Sequence, residues 1–170
     1  MNRMKALDSY LNDHLAGSIA ALELLDRLIE VSEGNPREQF FRELRSEIDA
    51  DHKTLRDIMD LVSANESTVR KAGAWAMEKL SRSKIQLKES NEGGPEVNHG
   101  LFLALETLGL GITGKRLLWR ALSAAAVNVP QLIGPDYCRL EARAIEQGDR
   151  VETERLKVGR VIFAENLVRD

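Results

Sequence analysis

The stretch Glu47-Ile48-Asp49-Ala50-Asp51-His52-Lys53-Thr54-Leu55 sets Asp49 three residues before His52. At that spacing a carboxylate and an imidazole share one side of a helix. Such a pair is half of a di-metal site when a second carboxylate-x-x-His and two further carboxylates meet it inside a helical bundle. The chemistry would then be oxidation or storage of iron or manganese. The competing reading is the charged outer surface of a helix. Which one holds depends on the direction in which each helix turns its apolar side.

Composition narrows the classes first. The 170 residues fit a single domain spanning 1–170, large enough to bury a core without covalent staples. A formal charge of -3, spread along the chain as interspersed acids and bases, leaves no footprint for nucleic acid or an anionic membrane. Cys138 is the single cysteine, so an internal disulfide and the cysteine-based zinc motifs are excluded, and the residue is expected to be an inert packing thiol. The start MNRMKALDSYL lacks the apolar stretch of a secretion signal, and no uncharged run reaches the ~18 residues of a membrane span. A soluble cytoplasmic protein is the expectation.

The four prolines, at 36, 95, 130 and 135, fall where helical periodicity breaks. Leu11, Leu15, Ser18, Leu22, Leu25 and Ile29 recur at spacings of three and four, predicting a helix over about 4–31 that ends at Ser32-Glu33-Gly34-Asn35-Pro36. Phe41, Leu44, Ile48, Asp51, Leu55, Met59 and Val62 continue the pattern over about 37–63. So short a link predicts an antiparallel hairpin. Val69, Ala72, Ala76 and Leu80 mark a shorter helix over 66–82, and 88–96 reads as a loop. Two more long helices follow, over about 97–127 and from Asp136, a good N-cap, to Asn166. No stretch alternates with period two for long enough to make a strand.

The segments YLNDHLAGSIAALEL (10–24), EIDADHKTL (47–55), ETLGLGITGKRLLWRAL (106–122) and RAIEQGDRVETER (143–155) resemble the corresponding helices of uncharacterised bacterial proteins of the ferritin-like superfamily. The resemblance covers most of the chain. It implies an all-α, ferritin-like four-helix bundle of two antiparallel hairpins, with the short fifth helix in the long crossover connection. It implies no assigned activity. The metal-binding members of that superfamily carry a Glu on each of two helices and Glu-x-x-His on each of the other two.

Counting ~100° per residue tests the chain against that pattern. Glu23 and Asp49 each fall roughly 120° from the centre of their apolar stripes, and His52 roughly 60°. Glu106 lies opposite Leu101, Leu108, Ile112 and Trp119 but beside Leu103, Leu110 and Leu117, which leaves its burial open. No histidine follows residue 99, so residues 100–170 hold no second carboxylate-x-x-His. A reduced ligand set for iron or manganese would have to come from His14, Glu47, Asp51, His52 and Glu106.

The inward polar residues form a different set. Asp51 occupies a core position of its stripe, His14 flanks the first stripe, Lys115 borders Leu108/Ile112/Trp119, and Gln147 continues Leu140/Ala144/Val151. Folding about the two turns brings Asp51 level with Ser18 or Gly17, and Lys115 level with residue 148 or 149. The expectation is a hydrogen-bonded layer of His14, Asp51, Lys115 and Gln147 at the place of a di-metal centre, the alternative being that some of these reach solvent at a helix flank. Lys115 is followed by Arg116, so LGLGITGK is no phosphate loop, and Gly109, Gly111 and Gly114 are expected to allow close helix packing. Trp75 and Trp119 read as packing anchors. A helix as apolar as 97–127 needs cover on nearly every side, which suggests a homodimer or the 66–82 helix over Leu103, Leu110 and Leu117. The functional reading is a non-catalytic structural or interaction protein without cofactor; the alternatives are a metal-dependent oxidase or storage protein, and a small-molecule binder.

Overall fold

A computed structural model of the protein describes residues 3–64 and 95–165, and every described element is helical. The long helices are α1 (Arg3–Val31), α2 (Arg37–Leu61), α3 (Pro95–Ala125) and α4 (Tyr137–Glu165), with a 3-10 turn at Pro130–Leu132 before α4. Among these residues no helix is long and apolar enough to cross a membrane. The expected 66–82 helix, Trp75 and most of the 88–96 loop lie outside the described residues. Helix α3 is described from Pro95, so it already includes the two residues before its expected start at 97.

Local chemistry sets the ends. Gly34 takes the left-handed conformation (φ 75°) and donates its N–H to the Glu38 carboxylate at 2.8 Å, while the Arg37 N–H donates to Asn35 Oδ1 at 3.0 Å. The Arg37 bond satisfies a backbone donor that the first turn of α2 leaves without a helical partner, and the Gly34 bond ties the preceding turn to that helix. Asp136 caps α4 as expected, its Oδ1 accepting the Arg139 N–H at 3.0 Å. The Tyr137 hydroxyl donates to the Leu132 carbonyl at 2.9 Å and ties the 3-10 turn to the start of α4.

Helices α1 and α2 pack together, as do α3 and α4, and α1 also packs on α3. Contacts run in opposite chain directions within each pair: Ser18 meets His52 and Asp26 meets Arg45, while Glu106 meets Arg155 and Arg116 meets Glu141. The α2 stripe is buried at every expected position, Asp51 included, with Ile58 added. On α1 the buried face is turned slightly, so that Leu24 and Leu28 are buried while Leu22 and Ile29 are half-buried. Helices α2 and α4 face each other through long side chains rather than apolar ridges, using the ion pairs Arg37–Glu154, Glu47–Arg150 and Asp51–Arg143.

Two expectations need correction. Cys138 is exposed on the first turn of α4 and packs against nothing that would bury it. Gly109, Gly111 and Gly114 do not enforce close packing: a Cβ on Gly111 would meet nothing within 4 Å, and those on Gly109 and Gly114 would make ordinary contacts at 4.0 Å. The tight approach is instead at Gly159, where a Cβ would stand 3.0 Å from the Phe102 ring. Since glycine in a helix interior costs about 0.5–1 kcal/mol against alanine, Gly111→Ala is expected to stabilise the protein by that amount. Urea denaturation of the two proteins checks it.

Candidate functional site

The polar centre of the bundle is built around one carboxylate. Asp51 is only 2 % exposed, and Gln147 on α4 is fully buried. The Lys115 ammonium on α3 donates to Asp51 Oδ2 at 2.5 Å and to the Gln147 side-chain oxygen. The Gln147 amide returns a bond to Asp51 Oδ2 at 3.3 Å, and Arg143 on α4 donates to Asp51 Oδ1. Both carboxylate oxygens are therefore engaged by donors from two other helices. A buried carboxylate requires such compensation, because leaving it unpaired in the interior would cost several kcal/mol. Burial pushes the Lys115 amine below the usual lysine range, and the neighbouring Asp51 carboxylate opposes that shift.

Asp51, Lys115 and Gln147 are thus in mutual contact, whereas His14 stays outside the hydrogen-bonded group. Its ring stands edge-on to Tyr10, with centroids 4.6 Å apart, and faces Gly114 across α3. Arg143 was not foreseen. It sits four residues before Gln147, and Arg150 three after, so the polar stripe of α4 was present in the spacing.

Five residues offered as a reduced metal set are dispersed. Glu47 pairs with Arg150, and Glu106 is exposed and pairs with Arg155 at 3.4 Å. His52 Nδ1 lies 2.8 Å from Ser18 Oγ, His14 packs on Tyr10, and Asp51 is held by the two cations. Among the described residues no three His, Cys, Asp or Glu side chains come together in a way that could hold a metal ion. An ammonium and a guanidinium on the same carboxylate also repel a further cation, so this donor set does not fit iron or manganese. Asp49 turns outward, where a hydrogen bond from Lys53 at 2.6 Å holds its carboxyl below the usual range. Asp49 thus faces outward while His52, half-buried, turns toward Ser18, so the two do not converge on one site.

The Ser18 hydroxyl donates to the Leu15 carbonyl at 2.6 Å, and its oxygen lies 2.8 Å from His52 Nδ1, which bridges α1 to α2.

Between α1, α2 and α3 lies a cavity of about 190 Å³ that reaches this polar centre. Its walls include Ile48, Leu55, Leu108, Ile112, Leu118 and Trp119; Asp51, His52, Ser18, His14 and Lys115 supply the polar part. Gly17 and Gly111, both exposed, border it from α1 and α3. Burial lowers the pKa of His14 below its ordinary 6.5, against the opposing pull of Asp13. Above pH 6.5 the ring is neutral in both folded and unfolded chains and contributes no pH dependence. Below it the unfolded chain takes up the proton first, so stability falls as pH drops toward the lower folded-state value. Thermal unfolding between pH 7.5 and 5 is expected to show this loss for the native protein, and a smaller one for His14→Phe.

Comparison of the chain with protein-family models, with characterised proteins and with solved structures yields no match.

Proposed function

We propose that the protein is a ferritin-like bundle of two antiparallel hairpins joined by a crossover, with a non-catalytic structural or interaction role and no resident metal. The observation that carries this reading is the occupation of the bundle centre by the Lys115–Asp51–Arg143 cluster with Gln147. Cations of the protein itself there supply the positive charge that metal ions would bring, and the opposed contacts within each helix pair support the hairpin topology. Leu110 and Leu117, 70 % and 54 % exposed on the outer side of α3, support a homodimer whose interface covers them. The mass in light scattering would then be twice 19.0 kDa.

Aerobic loading with iron(II) and with manganese(II), followed by metal analysis of the desalted protein, tests the metal-free centre. Expected are traces well below one ion per chain, unchanged in Asp51→Asn. Near-stoichiometric metal that disappears in Asp51→Asn would overturn the reading and point to storage or oxidation.

A further inference from the structure

Around the polar centre, donors outnumber acceptors. Lys115, Arg143 and Arg150 face the carboxylates of Asp51 and Glu47, three positive charges against two negative. Asp13, the other carboxylate beside the cavity, is exposed and its field is weakened by water. Hydrogen bonding repeats the imbalance. Two of the three Lys115 donors are used, on Asp51 and Gln147. The buried indole N–H of Trp119, a residue 1 % exposed, has no acceptor among the described residues, although buried donors are nearly always satisfied. Lys115 and Trp119 both line the cavity, and they stand four residues apart on one face of α3.

We propose that this cavity is a binding site for a small carboxylic acid with an apolar, benzene-sized body. The carboxylate accepts from the remaining Lys115 donor and from the Trp119 indole, and supplies the missing negative charge. The body fills the space among Ile48, Leu55, Leu108 and Leu118. Size agrees: an apolar cavity of about 150 Å³ holds benzene, and about 190 Å³ leaves room for a short acidic arm. Access runs past Gly17 and Gly111, where a side chain on either helix would narrow the entrance.

Phenylacetate is a suitable probe, with phenylacetamide as its uncharged counterpart. In the ¹⁵N-labelled full chain carrying Trp75→Phe, the single indole resonance belongs to Trp119. Phenylacetate is expected to shift it saturably, and the amide to bind about tenfold more weakly or worse, the usual penalty for losing a charged hydrogen bond. Gly17→Leu and Gly111→Leu, which plug the entrance from opposite walls and leave the Asp51 cluster intact, should each weaken phenylacetate about tenfold with helical circular dichroism unchanged. An indole resonance indifferent to phenylacetate would overturn the site. Equal binding of acid and amide would overturn the charge assignment, and undiminished binding in two folded plug variants would overturn the location. None of these outcomes depends on metal loading, so the two proposals stand or fall separately.

Discussion

Asp51→Ala is expected to reduce the free energy of unfolding by about 3–5 kcal/mol, the range for removing one partner of a buried charge pair. Among the described residues this carboxylate is the sole acid paired with both Lys115 and Arg143, and its loss leaves an ammonium and a guanidinium side by side without it. A typical domain has only about 5–15 kcal/mol in total, so the variant is expected to be partly unfolded at 37 °C. Lys115→Met should cost much less. Asp51 keeps Arg143 and the Gln147 amide in that variant, and the desolvation of a lysine is relieved. Combining Asp51→Leu with Lys115→Met is expected to recover part of the loss, since Arg143, one-third exposed, can turn to solvent. Urea unfolding of the native protein, Asp51→Leu, Lys115→Met and the double variant measures the coupling. A loss below 1 kcal/mol in Asp51→Ala would mean that the charges are relieved by water.

Trp119→Ala is expected to cost a similar amount, about 3–5 kcal/mol, for a different reason. The indole is among the largest fully buried side chains, and its removal extends an existing cavity instead of letting the walls close. The two losses are separable by conditions. That of Asp51→Ala should change with pH where the Lys115 amine, lowered by burial, titrates, and that of Trp119→Ala should not. Trp119→Phe retains most of the ring volume and removes a buried N–H that has no acceptor among the described residues, so its cost should be far smaller. A Trp119→Phe loss as large as that of the alanine variant would show that the indole N–H has a partner worth keeping.

Much of this architecture was legible in the spacing of apolar residues. The α2 stripe emerged whole, and with it the inward direction of Asp51, because one side of that helix is buried along its entire length. The pairing of Lys115 with Gln147 followed from counting outward from the second short turn, whereas their meeting with Asp51 joins two helix pairs and no turn count reaches across it. Arg143 escaped because a long side chain can start at a helix flank and still deliver its head group to the interior, so the direction of its Cβ understates its reach. His14 erred the other way, since its short side chain stops at the cavity wall opposite Gly114. The cavity itself had no sequence signature. It arises where Gly17 and Gly111 leave space between helices, and a glycine that admits a neighbour is indistinguishable in sequence from one that leaves a gap.

The links to Asp51 also bear on the order of folding. They join residues separated by 64, 92 and 96 positions, whereas Ser18 and His52 are 34 apart and Lys115 and Gln147 only 32. Contacts within each helix pair close short loops and come early; those to Asp51 require both pairs to be docked. Interactions made after the rate-limiting step leave refolding unchanged and appear only as faster unfolding when removed. Asp51 variants should therefore refold at the native rate and unfold faster, so that the charged centre sets how long the finished bundle survives rather than how quickly it forms.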